Sequence, residues 1–432
     1  MGAMALNIAK RIIKLRKELL ISRKELSKGV VSYARMGNIE AGQFEPTAEI
    51  LEQLAEKLNV PKMYLTDYRH KDPDLEESLR QLHHYLEQDF EQVHDLIHHI
   101  RDHYPYISSI EQEIYYYLLE CCYLLKLKQN DRCTQLYETH VRPLINENYT
   151  EHLPAYIEAL YHYVTALKHY YAKEYMHAYQ SYLKQLPLEK SDLKKADVYY
   201  NIALTLLPLY DYQNAIKYAK QALNEYTNQA EWVKAARTNN LLGVLHWETS
   251  DYIQSESYLL EALDLVDYHE LKGIKDRVYH NLGLLYSKKK DYPKAYEFFT
   301  LALNLKKRDQ VDDIVTTYRM LITLYLEQGE ISQAKEVLTE AKIFCQDDTD
   351  VHFLQVLEAQ ILLKEGRNAD YEKLMRATFQ FFRDNEYLKD IIDIGEELGD
   401  YYQRARKYKQ ACYFYKLSID AYHQLERKGG NK

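Results

Sequence analysis

The chain has 432 residues, 46% of them hydrophobic, with 56 Lys and Arg against 65 Asp and Glu for a net charge of −9. It holds 43 Tyr but only 13 Gly and 9 Pro, too few backbone breakers for a β-sandwich or an α/β enzyme of this length. Long helices joined by short turns fit that composition, and no apolar run reaches the roughly 18 residues of a membrane span.

The start, "MGAMALNIAKRIIKLRKELL", lacks the apolar core and small-residue cleavage site of a secretory signal. The cysteines, Cys121, Cys122, Cys133, Cys345 and Cys412, form no C-x-x-C pair and suit a reducing compartment. A cytoplasmic protein with no membrane partner is expected. Charge is shared unevenly: residues 1–69 carry 12 Lys and Arg against 8 Asp and Glu, a net of +4, which leaves −13 for residues 70–432. A small basic head on an acidic body suggests a polyanion-binding module joined to something that binds no polyanion. The boundary is expected at residue 69.

In chain order, "NIAKRIIKLRKELL" sets Ile8, Ile12, Leu15 and Leu19 on one helical face, with Lys10, Arg11, Lys14 and Lys17 largely opposite. "SRKELSKG" has Ser22 and Glu25 at capping-box spacing and Gly29 as a stop. "SYARMGNIEAG" follows, with Ser32 as N-cap and Met36 and Ile39 facing inward. "TAEILEQLAEKLNVP" adds a helix capped by Thr47, with Ile50, Leu51, Leu54 and Leu58 as its core face.

These motifs, with the I-E-x-G and the following Pro-Thr in register, resemble the helix-turn-helix of Xre/Cro-type repressors over about residues 8–68. Leu26 to Ser32 is one residue shorter than that family's usual turn. The resemblance implies that the helix from Ser32 enters the major groove of double-stranded operator DNA. Tyr33, Ala34 and Asn38 would face bases, since Asn can bond adenine bidentately and Ala can meet a thymine methyl. Arg23 and Gln43 would hold phosphates, Arg35 could serve either purpose, and Lys24 and Ser32 complete the candidate face. Glu40 is expected to orient the loop. The alternative is a helical surface with ordinary basic decoration.

The body is periodic. "NIALTLLPLYDYQNAIKYAKQAL", "LLGVLHWETSDYIQSESYLLEAL", "NLGLLYSKKKDYPKAYEFFTLAL" and "MLITLYLEQGEISQAKEVLTEAK" align at spacings of 40, 40 and 39 through Ile202, Leu242, Leu282 and Leu321. Small residues recur at Ala215, Ser255, Ala295 and Ala334, and again at Ala222, Ala262, Ala302 and Ala341. Small residues let two helices approach closely, and such a hairpin must stack on neighbours to bury its apolar face. This resembles the tetratricopeptide repeat, with Gly243, Gly283 and Gly399 keeping the family's glycine and Ala203 and Ile322 replacing it elsewhere. Eight or nine hairpins are expected from about residue 75 to 425. The fold class is thus all-α, a helix-turn-helix domain (1–69) followed by a right-handed tetratricopeptide superhelix (70–432). The Tyr surplus is expected to fill inter-helix space with its rings.

First helices of such hairpins line a concave side, which places Asn201, Arg237, Asn240, Arg277, His280, Asn281 and Arg319 inside. An amide can pair with both N–H and C=O of an extended peptide. Helix packing at about 10 Å matches about three residues of extended chain. Arginines would meet carboxylates bidentately. The alternative is that these groups are solvated or pair with nearby acids.

Head and body together resemble the RRNPP regulators, closest in length to NprR-like members. That resemblance implies a homodimer or tetramer whose repeats bind a short signalling oligopeptide. Peptide binding would alter how paired heads fit DNA half-sites. A rival within the same group is a protein that sequesters or dephosphorylates a phosphorelay response regulator. Gln81, Gln88 and Gln92, in Asp72–Tyr104, are conceivable water-positioning groups for it. "HDLIH" (His94, Asp95, His98) has a zincin's histidine spacing without its Glu, so no metal, cofactor or catalytic residue is expected.

Overall fold

The computed structural model describes residues 2–88, 90–145, 153–271 and 273–429, with side chains from residue 8 onward except those of 87, 88 and 426–429. Among these residues every regular element is helical. They form two compact units, Met1–Lys190 and Ser191–Lys432.

The first unit opens with α1 (Gly2–Glu18), α2 (Arg23–Ser27), α3 (Tyr33–Glu40), α4 (Ala48–Lys57) and α5 (Lys62–Thr66). The capping box at Ser22 is complete: its Oγ accepts from the Glu25 N–H, and Glu25 accepts from the Ser22 N–H at 2.8 Å. Ser32 caps α3 through the Arg35 N–H, whereas Thr47 precedes α4 without a side-chain bond. Lys57 reaches from α4 to the carbonyls of Glu25, Leu26 and Lys28, giving the end of α2 the cation its dipole favours. Ile8, Ile12, Leu15, Met36, Ile39, Leu51, Leu54 and Leu58 are buried as their spacing requires. Leu19 is not, at 44% exposed, because α1 ends at Glu18 and the chain turns through Leu20 at φ 57°.

The basic face of α1 corrects an expectation. Arg11 is fully buried and Lys14 nearly so. Arg11 donates to the carbonyls of Tyr64 and Ser108, both at 2.6 Å, and pairs with Glu113 at 2.5 Å. Tyr64 donates its hydroxyl to the other Glu113 oxygen at 2.6 Å and sets its ring 4.2 Å from the guanidinium. Lys14 meets His140 Nδ1 at 3.1 Å, and burial first, then Lys14, depress the His140 pKa to about 4. Part of the head's positive charge is therefore spent on the body.

Those partners lie in the elements that follow: α6 (Pro73–Gln88), α7 (Val93–His103), α8 (Ile110–Lys126), α9 (Asn130–Leu136) with a π-helical extension (Tyr137–Val141), α10 (Ala155–Tyr171) and α11 (Tyr175–Gln185). One continuous apolar core runs from Ile8 to Val164. The expected boundary at residue 69 falls within the stretch of chain that this core spans, and the Ile110 N–H bonds Tyr68 O at 3.1 Å.

The second unit comprises α12 (Asp192–Leu206), α13 (Tyr212–Asn228), α14 (Trp232–Glu248), α15 (Tyr252–Tyr268), α16 (Lys275–Lys288), α17 (Tyr292–Arg308), α18 (Ile314–Gln328), α19 (Ile331–Ala341), α20 (Asp348–Lys364), α21 (Asn368–Asp384), α22 (Leu388–Arg404) and α23 (Tyr408–Gly429). From α6 to α23 the described residues make nine successive helix pairs. The recurrent small residues do what their size allows: Ala215, Ser255, Ala295 and Ala334 are all fully buried. At the one polar member, Ser255 Oγ donates to Gly243 O at 2.7 Å, so the hydroxyl costs nothing. A Cβ on Gly283 would stand 2.6 Å from the Phe299 ring, which is why that helix pair needs glycine.

Candidate DNA-binding face and inner wall of the repeats

On the head, Tyr33, Ala34, Arg35 and Asn38 all lie on the exposed side of α3, with Lys24 and Gln43 exposed beside them. The opposite side of α3 is anchored by Glu40, whose side chain is only 2% exposed. Glu40 takes Arg16 Nε at 2.6 Å and Arg23 Nε at 2.8 Å, so one carboxylate ties α1 and α2 to the end of α3. Glu40 holds the Arg23 pKa up, and the Arg23 guanidinium lies 5.9 Å from the Tyr33 ring. Arg23 is therefore chiefly a brace, with the rest of its guanidinium left for a phosphate. Arg35 stacks on Phe44 at 4.3 Å, and the Gln43 N–H bonds Asn38 O at 2.9 Å. Ser32 Oγ is committed to its cap. Arg16 is the residue that sequence reasoning missed, because a partner 24 positions away has no local signature.

In the second unit the first helices of successive pairs lie side by side. Asn281 Nδ2 donates to Asn240 Oδ1 at 2.8 Å, joining α16 to α14. The two amides therefore meet each other instead of standing one per repeat, since Asn240 is offset by one position from the register of Asn201 and Asn281. Their bond uses neither the Asn240 amide hydrogens nor the Asn281 oxygen, one donor group and one acceptor. Arg237 and Arg277 are exposed, and both act on the Tyr200 hydroxyl, against the burial that raises its pKa. Among the described residues no carboxylate pairs with either arginine.

Of the three remaining expected residues, Asn201 is half-buried on α12, and His280 and Arg319 turn into the wall. His280 Nδ1 meets Thr317 Oγ1 at 3.0 Å, its ring packs edge-on to Phe299, and burial lowers its pKa to about 4. It is a neutral wall residue. Arg319 lies 3.6 Å over the Phe353 ring, and burial lowers its pKa against the pull of Asp390, Asp350 and Asp313.

Beyond Arg319, where the expected ladder of residues ends, the wall becomes acidic. Asp393 and Glu397 of α22 have pKa values raised by burial, Glu397 against hydrogen bonds from Gln360 and Tyr371. Through Leu398 and Gly399 they align with Arg277 and Asn281, so carboxylates stand at α22 where α16 carries a guanidinium and an amide. Lys389, beside them, sits 5.9 Å from the Tyr210 ring, so the start of α22 returns to the α12–α13 corner. The wall thus runs from arginine at α14 and α16 to carboxylate at α20 and α22.

A cleft of about 600 Å³ between α6 and α7 is lined by Gln81, Tyr85, Glu91, Gln92, Asp95, Leu96 and His99. The Gln88 side chain lies outside the described residues. The His94 and His98 rings meet edge to face at 4.5 Å, and His94 Nδ1 meets the Tyr123 hydroxyl at 3.0 Å. Among the described residues no third metal-binding side chain joins them, nor is any helix long and apolar enough to cross a membrane.

Residues 12–65 match the helix-turn-helix family model, and residues 195–267 and 276–309 match tetratricopeptide repeat models. Over 412 residues the chain is 23% identical to the transcriptional activator NprA of Geobacillus stearothermophilus, covering 91% of this chain and 98% of that one. Together these matches support an RRNPP-family regulator. Response regulator aspartate phosphatase A of Bacillus subtilis (strain 168) is 22% identical over 245 residues, 56% of this chain and 64% of that one. In fold, the chain superposes on the apo form of the quorum sensor NprR from B. thuringiensis with a TM-score of 0.62 at 18% identity, covering 81% of this chain and 98% of that one. The complex of NprR with its cognate peptide NprX gives 0.57 at 17% identity, covering 82% and 100%.

Proposed function

We propose that the protein is a cytoplasmic transcription regulator, not an enzyme, that binds double-stranded operator DNA through α3 and a short signalling oligopeptide along the inner wall of α12–α22. It acts as a homodimer or tetramer, and peptide binding alters the arrangement of paired heads on DNA. The exposed polar side of α3, braced from behind by Glu40, is the observation that carries the reading. Near full-length similarity to a transcriptional activator supports it. The unpaired Arg237 and Arg277 suit a peptide carboxylate, and the acidic stretch at α20–α22 suits an amino terminus or basic side chain.

The test pairs two variants. Asn38→Ala should cost about 1–3 kcal/mol of operator affinity while leaving the peptide response intact. Asn240→Ala with Asn281→Ala should abolish the peptide response and leave DNA binding unchanged. Operator affinity that ignores both Asn38→Ala and salt concentration would remove α3 from the DNA.

The α6–α7 cleft favours a second reading, contact with a phosphorelay response regulator. Adding the protein to a phosphorylated receiver domain should then shorten the phosphate's lifetime, and Gln81→Ala should restore it. An unchanged lifetime with unmutated protein rejects this reading.

A further inference from the structure

The corner joining α10 to α11 departs from the three corners that follow it. In α12/α13, α14/α15 and α16/α17 the residue before the second helix is Asp211, Asp251 or Asp291, and each carboxylate caps that helix through the N–H three residues on. The equivalent residue here is Glu174, which makes no such cap. One methylene longer, it reaches back across the turn and accepts from His169 Nδ1 at 2.6 Å. His177 occupies the position held by Asn214, Gln254 and Lys294 in the other corners. Its ring stands 5.3 Å from that of His169. One ligand atom from each of the three lies within 4.8 Å of the others.

The α14/α15 corner is an internal comparison. His246 Nδ1 and Asp251 Oδ2 repeat the first two members at 3.4 Å, but Gln254 stands third and Asp251 still caps its helix. Among the described residues, only the α10/α11 corner completes the set.

We propose that His169, Glu174 and His177 form a site for a divalent first-row transition metal of the zinc class, with its remaining coordination open to water. Two imidazole nitrogens and one carboxylate select such ions over magnesium or calcium, which prefer all-oxygen sites. Bonds of about 2.0–2.2 Å need the His169–Glu174 hydrogen bond to give way to two metal bonds. That adjustment is small, because Glu174 and His177 are exposed and free to change rotamer. The ion would tie the last turn of α10 to the first turn of α11, replacing the cap that Glu174 does not make.

The test uses tag-free full-length protein titrated at pH 7.5 with cobalt(II), read by its visible absorption, and with zinc(II), read by calorimetry. His94→Gln with His99→Gln removes the two-histidine pairs of α7 and should leave one equivalent bound. His169→Leu and His177→Asn give this corner the residues found at Leu206 and Asn214 of the next pair, so each variant should fold. Each should weaken binding at least tenfold and remove the rise in melting temperature that zinc gives the parent. Retained stoichiometry and affinity in both corner variants would overturn the site, as would complete loss of binding in the α7 variant.

Discussion

The 43 tyrosines find a repeated use at the level of single residues. Tyr226 donates to Asp197 at 2.8 Å, and Lys234 meets the same carboxylate at 2.8 Å. Tyr286, Glu256 and Lys289 repeat the arrangement, as do Tyr402, Glu372 and Lys407. In each trio the lysine nitrogen also lies 5.3–5.6 Å from the ring centroid. Burial, then Glu372, push the Tyr402 phenol up to about 12, so at neutral pH it is a donor. Tyr286→Phe should therefore cost about 1 kcal/mol, and Tyr286→Ala about 3–5 kcal/mol, read from urea midpoints. Equal losses would mean that the ring carries nothing. The sequence indicates that the rings fill space, but the carboxylates lie about 30 positions away and leave no local trace.

At the level of elements, legibility followed periodicity. Hairpins from α12 to α19 were readable because small residues recur at fixed spacing, and the nine pairs match the expected number. The inner wall was readable only in part. Register arguments place Arg237 and Arg277 on the open face, yet they say nothing of His280 turning towards Thr317 or of Asn240 bonding Asn281. Both outcomes depend on contacts with the next helix pair. Where a glycine sets helix spacing, the cost of a side chain can be forecast. Gly283→Ala gains about 1 kcal/mol of helix propensity but forces a methyl against Phe299, an overpacking cost of about 1–3 kcal/mol. Net destabilisation is expected, because Phe299 is buried and cannot swing away. A raised melting temperature would show that α16 and α17 separate freely.

Across the whole first unit, the head and the helices after it share a buried ion pair, so the change of net charge near residue 69 does not mark a change of packing. Charge counting marks where the basic residues are and cannot tell which of them turn inward. Glu113→Gln should cost about 3–5 kcal/mol, because it leaves the Arg11 charge buried without its counter-ion. Arg11→Met with Glu113→Leu should recover most of that loss, and amide exchange in α1 and α8 should follow stability in both variants. A neutral Glu113→Gln would mean that water already reaches the pair.

The Arg11–Glu113–Tyr64 knot also decides where this protein can be cut and rejoined. A graft that exchanges heads between relatives at the obvious junction, after residue 69, would hand each recipient an unmatched half of that knot. Transplanting the head together with the helices through Val164 keeps the apolar core in one piece. The head and the first hairpins are in this sense inherited together, and a lineage that changes one must keep or rebuild the other.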